Sequence, residues 1–183
     1  GVGLPHPALG FGKGLLKLGT TISPSPLDSL GHGTWTITAG FGNKARTRFG
    51  EHNGVADVKN GNLGSWKVLS DLGFGTTWSV VQGIDQAVKW GAKIISMSLG
   101  GPMQGSVDED PQVRVIESLK DKVICVVAAG NDGDRGDHSI NSPGIASHLL
   151  ASITLSKISE YDSSVFLNSS SKNFLAVSRH SYS

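Results

Sequence analysis

At 183 residues, with 38% hydrophobic and 17% charged residues, the chain is long enough to bury one core and is lightly charged. A formal charge of +1 offers no electrostatic case for nucleic acid, and no apolar run is long enough to span a bilayer, so neither nucleic acid nor a membrane is an expected partner. The single cysteine, Cys125, excludes an intrachain disulfide and a cysteine metal cluster; within Val123-Ile124-Cys125-Val126-Val127 it reads as a small buried hydrophobe.

Residues 1–30 are rich in Gly, Pro and Ser and read as loop, with one short strand near Leu15-Leu16. The opening Gly1-Val2-Gly3-Leu4-Pro5 has neither the basic nor the apolar region of a secretory signal and no initiating methionine, so residue 1 reads as a point inside a longer reading frame. Gly10-Phe11-Gly12-Lys13-Gly14 lacks phosphate-loop spacing and reads as a turn. Asp28 or Ser29 is placed to cap a helix starting near His32. The positive end of that helix suits a neutral general base. Residues 40–64 are again glycine-rich and read as irregular, with Lys44-Ala45-Arg46-Thr47-Arg48 as a solvated loop.

From Trp66 the pattern tightens. Trp66-Lys67-Val68-Leu69 reads as a strand, and Thr76 or Thr77 as the cap of a helix that runs to Trp90 and stops at Gly91. Val80, Val81, Ile84, Ala87 and Val88 fall on one face of it. Ile94-Ile95-Ser96-Met97-Ser98-Leu99 is the next strand, ended by Gly100-Gly101-Pro102. Asp110-Pro111 opens another helix, with Val113, Ile116 and Leu119 inward. The continuous apolar run 123–128 predicts a strand covered on both sides, and a further strand is predicted over 149–155. The tail from Ser156 is Ser-rich and weakly patterned. Strand and helix alternate, which predicts an α/β fold: a mostly parallel sheet flanked by helices, with right-handed crossovers. Neither an internal repeat nor a linker is visible, so residues 1–183 read as a single domain.

In an open parallel sheet, ligands sit beyond the carboxyl ends of the strands. Three stretches with chemical potential bear on such a position. Gly31-His32-Gly33-Thr34 offers a histidine able to take a proton from a nucleophile. Ser98-Leu99-Gly100-Gly101 follows one strand, and an extended peptide can pair along its backbone. Ala128-Ala129-Gly130-Asn131 follows another, and the Asn131 amide can donate to the oxyanion of a tetrahedral acyl intermediate.

These stretches resemble the subtilisin-like serine proteases. His32-Gly33-Thr34 is similar to that family's histidine motif. Ser96-Met97-Ser98-Leu99-Gly100-Gly101-Pro102 is similar to its substrate-binding strand and turn, and Ala128-Ala129-Gly130-Asn131-Asp132-Gly133 to its oxyanion-asparagine motif. Gly54-Val55-Ala56 followed by Lys67-Val68-Leu69 resembles the approach to the strand between the first two. The resemblance covers most of the chain and implies a three-layer subtilisin-like fold, here incomplete, as one partial peptidase domain. It implies a serine endopeptidase acting on polypeptide in extended conformation. Its site residues would be His32 as general base, Asn131 as oxyanion donor, and a groove lined by Ser98, Leu99, Gly100, Ala128, Ala129 and Gly130. No cofactor is required. The resemblance admits a structural calcium, yet Asp132, Asp134 and Asp137 read as a solvated acidic turn, and the scattered histidines His6, His32, His52, His138, His148 and His180 show no zinc spacing. Only the resemblance favours an extracellular location; the sequon Asn168-Ser169-Ser170 adds a weak signal.

Several departures limit the comparison. The family's triad runs Asp, His, Ser along the chain. No Asp-Thr-Gly or Asp-Ser-Gly stands before His32. Gly1-Val2-Gly3-Leu4-Pro5-His6-Pro7-Ala8-Leu9 nevertheless resembles the segment just after that aspartate, which is then expected just ahead of residue 1. No Gly-Thr-Ser nucleophile motif appears among the serines of the tail. Trp35 and Thr36-Ile37-Thr38 replace the smaller residues usual after the histidine motif. Two alternatives therefore stay open beside the endopeptidase: a non-catalytic relative that binds peptide, and an inactive fragment of low stability.

Overall fold

The computed structural model describes residues 1–9, 16–48, 50–56, 63–136 and 139–152. In chain order these hold β1 (Leu16–Thr20), α1 (His32–Phe41), β2 (Ala45–Thr47), β3 (Gly50–His52), β4 (Leu63–Lys67), α2 (Thr77–Trp90), β5 (Ile94–Met97), α3 (Pro111–Ser118), β6 (Ile124–Ala128) and β7 (Leu150–Ser152). Short 3-10 turns lie at Pro7–Leu9 and Gly133–Arg135. The Gly10 to Gly14 turn, the sequon, the serine-rich tail, His138, His180 and the last residues of the strand expected over 149–155 lie outside the described residues.

The helices start and stop where backbone chemistry directs. Thr76 caps α2 in a reciprocal box: its hydroxyl accepts from the Ser79 amide (3.1 Å), and the Ser79 hydroxyl accepts from the Thr76 amide (3.0 Å). Gly91, at φ 96°, closes the helix by donating to the carbonyls of Ala87 and Val88, a left-handed conformation that glycine adopts without penalty. Asp110, buried, caps α3 by accepting from the amides of Gln112 (2.9 Å) and Val113 (3.2 Å), and Pro111 follows in the first turn.

The core lies between these helices and the strands β5 and β6. Val80, Ile84 and Ala87 of α2 pack with Val113 and Ile116 of α3, Ile95 and Met97 of β5, and Cys125 and Val127 of β6. Each fully buried Ile or Val contributes about 1.5–3 kcal/mol. Cys125, Val126 and Val127 are all buried, so the centre of β6 is covered on both sides as its apolar run predicts, whereas Ile124 at its start is 47% exposed. Burial pushes the Cys125 thiol pKa up, in keeping with an inert core residue.

The reading of residues 40–64 as irregular needs correction. Residues 45–47 and 50–52 are not irregular: β2 and β3 form an antiparallel hairpin, Ala45 opposite His52, and the basic stretch lies largely within it. Lys44 pairs with Glu51 (2.8 Å), and the His52 ring Nε2 bonds the Thr38 carbonyl of α1 (2.9 Å). Three-residue strands are too short to show an alternating pattern, so local pairing decided what periodicity could not reveal. The α/β fold is as expected, with parallel strands flanked by helices; among the described residues those strands form two hydrogen-bonded groups, β1-β4 and β5-β6-β7, joined by the crossover helix α2. The strand expected at 66–69 also begins earlier, at Leu63; Gly64 lies against the Trp66 and Trp90 rings, whose centroids are 5.4 Å apart, and its lack of a side chain masks the strand in sequence.

The capping box carries a direct test. Thr76→Ala should lower unfolding stability by about 1 kcal/mol in urea denaturation, while Thr76→Ser, which keeps the acceptor, should stay within a few tenths. Equal losses in both variants would show that the cap oxygen is not what holds the helix start.

Candidate active site

The first turn of α1 is held from outside the helix. Its N-cap, Gly31, has φ 96° and no side chain to offer the free amides of the turn. The Asp28 carboxylate supplies the acceptors instead. One oxygen accepts from the amides of Leu30 (3.1 Å) and Gly31 (2.8 Å); the other accepts from the Thr34 amide (2.8 Å) and the Thr34 hydroxyl (2.6 Å). Asp28 thus performs the capping expected of it, by reaching the third residue of the helix rather than by standing at the cap position. The Thr34 hydroxyl in turn accepts from the Gly3 amide (2.6 Å). A Cβ on Gly33 would lie 2.2 Å from the Gly1 carbonyl oxygen, so the residue after the histidine has to be glycine for the opening stretch of chain to approach. Glycine, threonine and aspartate here form one knot, and His32 projects from it as the first helical residue, exposed.

Burial of the Asp28 carboxyl would raise its pKa, but the hydrogen bonds from the Thr34 hydroxyl, the Thr34 amide and the Gly31 amide outweigh that and hold it below the usual carboxylate range. A second tie lies nearby. Lys67, at the end of β4 and 4% exposed, donates to the Leu27 carbonyl (2.8 Å) and pairs with Asp71, whose carboxyl its ammonium holds below the usual range.

His32, Ser98 and Leu99 line one cavity of about 760 Å³, together with Asp28 and Gly33. Ser98 is exposed and Leu99 half-buried. Gly100, Ala128, Ala129, Gly130 and Asn131 are not among the residues lining this cavity. β5 and β6 pair in parallel, Met97 beside Val127, so residues 98–101 and 128–131 leave the same edge of the sheet. The Asn131 side chain is exposed there. Among the described residues the His32 ring makes no hydrogen bond or ion pair.

One segment beside the groove was not singled out from sequence. Residues 141–144 fold over the end of β6. The Asn141 amide donates to the Ala129 carbonyl (2.9 Å), Gly101 and Ser142 exchange two backbone bonds (2.9 and 3.0 Å), and the Ser142–Pro143 peptide is cis. Gly130, at φ 108°, lies beneath the Asn141 amide, where a Cβ would approach to 2.7 Å. The Ala129 carbonyl is therefore already occupied by a partner. The Ser142 hydroxyl is buried with no hydrogen-bond partner among the described residues. The turn signal Asn141-Ser142-Pro143-Gly144 was the available clue.

The Asp132 carboxylate of the acidic turn has partners of its own. One Asp132 oxygen accepts from the Asn141 side chain (3.0 Å) and the other faces the Arg135 guanidinium (3.3 Å), while Asp137 lies outside the described residues. Among the described residues no group of three or more His, Cys, Asp or Glu could hold a metal, and no helix is long and apolar enough to cross a membrane.

Asp28 has a depressed folded-state pKa. Its contribution is present above the unfolded value of ~3.9 and is lost as pH falls through the lowered folded value. Asp28→Ala should cost about 1–2 kcal/mol at pH 7, and the difference from the parent chain should shrink as pH drops below about 4. Denaturation curves over pH 2 to 7 measure it; a difference that does not change with pH would show that the charge on Asp28 plays no part in the cap.

The chain is similar to known proteins in sequence and in fold. The subtilase family model matches residues 20–181. Subtilisin-like protease 1 of Pseudogymnoascus destructans is 38% identical over 143 residues, covering 75% of this chain and 32% of that protein. Serine protease AprX of Bacillus subtilis is 32% identical over 135 residues, covering 68% of this chain and 30% of that protein. Among solved structures, Sphericase aligns with a TM-score of 0.61 at 28% identity, covering 82% of this chain and 49% of that one. A mutant of the protease domain of PatA aligns with a TM-score of 0.63 at 26% identity, covering 82% and 53%. The chain spans about a third of the length of these two relatives and about half of the two structures.

Proposed function

We propose that this chain, which belongs to the subtilase family, carries the base, the oxyanion donor and the substrate groove of a serine endopeptidase within one partial peptidase domain. The relatives are named as a subtilisin-like protease and a serine protease, and peptide-bond hydrolysis is the chemistry those names suggest. The observation that carries the reading is His32, at the start of α1, lining the same cavity as Ser98 and Leu99 at the carboxyl end of β5.

The residues take distinct roles in this reaction. A serine hydroxyl attacks the substrate carbonyl carbon while its proton passes to the neutral ring of His32. As the C–O bond forms, the carbonyl pair moves onto oxygen, and the Asn131 amide donates to that oxyanion. The His32 imidazolium returns its proton to the amine nitrogen as the C–N bond breaks, and water repeats the sequence on the acyl-enzyme. The backbone at Ser98, Leu99 and Gly100 on one side, and at Ala128, Ala129 and Gly130 on the other, aligns the substrate as an extended strand. No step calls on a cofactor.

Asp28 does not serve as the orienting carboxylate in this scheme, because both its oxygens are engaged by the backbone and hydroxyl of the helix start. No serine of residues 1–183 carries the Gly-Thr-Ser motif. The unbonded ring of His32 therefore favours a second reading for these residues taken by themselves: they hold peptide without cutting it. Loss of triad members in proteases of this chemistry leaves residual rates of roughly 10³–10⁴ over water.

Treatment of the 183-residue chain with a fluorophosphonate probe, alongside a fluorogenic extended peptide, tests both. No labelling and no turnover, with saturable peptide binding, is the expected result. Labelling of a serine would show that the chain holds its own activated nucleophile. Absence of peptide binding would overturn the groove assignment.

A further inference from the structure

One residue grips the chain on both sides of Asn131. Beyond β6 the backbone runs through Ala129, Gly130 and Asn131 to Asp132. The Asn141 backbone amide donates to the Ala129 carbonyl (2.9 Å), and the Asn141 side-chain amide donates to one Asp132 oxygen (3.0 Å). Between these bonds the side chain lies over Gly130, where a Cβ would meet its Nδ2 at 2.7 Å and its Cγ at 3.0 Å. Asn131 itself stays exposed, and among the described residues its side chain makes no hydrogen bond.

Asn141 is anchored in its turn. Ser142, the next residue, exchanges two backbone bonds with Gly101 (2.9 and 3.0 Å), and both Ser142 and Pro143 are buried. The Ala146 amide donates to the Pro143 carbonyl (3.1 Å), and Ala146 packs in the core with Ile116 and Val127. A Cβ on Gly100 would lie 3.4 Å from the Asn141 Cβ, so Asn141 stands between the segments that leave β5 and β6. Its hold on residues 129–132 is therefore taken from the core and from the end of β5, not from another exposed loop.

The chemistry of the side-chain bond is specific. An ionised Asp132 only accepts, so Asn141 has to present its N–H, and a bond to a charged partner is stronger than a neutral one. The other Asp132 oxygen faces the Arg135 guanidinium (3.3 Å), and the Arg135 amide donates to the Asp132 carbonyl (2.9 Å). Asp132 is thus fixed from two sides, and Asn141 ties it back to the sheet. A donor to a developing oxyanion is effective when it is aimed before the charge appears. A side chain on an exposed turn keeps such an aim only if the backbone beneath it is held.

We propose that Asn141 is a positioning residue for Asn131. Its backbone braces Ala129, its side chain covers Gly130 and ties down Asp132, and together these fix the backbone from which the Asn131 amide donates to the oxyanion. The proposal rests on the oxyanion role given to Asn131 above. Asn141 acts only through residues 129–132 and is assigned no contact with the reacting atoms.

The test uses the 183-residue chain and two matched extended peptides. One carries a phosphinate, a tetrahedral anion that binds without a serine; the other carries a neutral ketomethylene carbonyl at the same place. The ratio of their affinities reads donation to the oxyanion apart from binding in the groove. Asn131→Ala and Asn141→Ala should each lower the phosphinate preference by about tenfold or more, and the double variant should fall no further. Asn141→Asp sets two carboxylates together, so the preference should be lost at pH 7 and return at about pH 5, where the pair shares a proton and Arg135 stays charged. Loss of packing alone would not reverse with pH. A preference lowered by Asn131→Ala and untouched by Asn141→Ala overturns the proposal and leaves the oxyanion role standing, as do additive losses in the double variant. No change in Asn131→Ala overturns the oxyanion role and the proposal with it. Nitrogen relaxation at the Asn131 backbone amide decides the matter if neither peptide binds. Its order parameter should fall from about 0.85 to below about 0.6 in Asn141→Ala and in Asn141→Asp at pH 7, and recover in Asn141→Asp at about pH 5. An unchanged order parameter in both variants overturns the proposal.

Discussion

The Asp28 carboxylate fixes the start of α1 and with it the position of His32. A helix that begins at a left-handed glycine has no cap of its own, and four amides of its first turn need acceptors. Asp28 reaches across from the preceding loop to three amides and a hydroxyl. The Thr34 hydroxyl passes the connection to Gly3, and Gly33 leaves room for the Gly1 carbonyl. The two glycines flanking His32 thus answer different needs: one a backbone angle, the other a close approach. The same bonds exclude a second role for Asp28, since a carboxylate committed to a helix start is not available to orient an imidazole.

Position is also inherited from the sheet. β5 and β6 are adjacent and parallel, so the segments following them emerge side by side, and residues 141–144 lock that edge through Gly101, Ala129 and Gly130. The core of α2, α3, β5 and β6 makes this half a rigid platform. The half carrying β1 and β4 reaches it through α2, across a cavity that both sheets line. His32 and Ser98 both line that cavity, so the distance between them depends on how the two sheets are held together.

Sequence made the platform legible and the boundary illegible, for physical reasons. α2 and α3 carry strong local signals: a threonine or aspartate cap, a terminating glycine, a proline in the first turn, and apolar residues at helical spacing. The run 123–128 announces a buried strand by composition alone. The histidine and asparagine motifs stood out because glycines bracket them. The β2-β3 hairpin did not, since three-residue strands have no period and their pairing rests on contacts with α1. Leu63 and Gly64 hid because a glycine under two tryptophan rings looks like a loop. The division into two sheets is a property of which strands pair, and strand-helix alternation fixes crossovers without fixing neighbours. Residues 141–144 carry turn residues, but their place over Ala129 and Gly130 depends on a contact between distant segments.

The central claim is spatial: the start of α1, the end of β5 and the end of β6 serve a single extended peptide. Chemical-shift mapping of the 183-residue chain during titration with an uncleavable extended peptide tests it most directly. The amides of Ser98, Leu99, Gly100, Gly130 and Asn131 should move together with the His32 ring protons, along one binding curve. Shifts confined to the β2-β3 hairpin or the acidic turn, or a His32 ring that stays still while the strand ends respond, would contradict it.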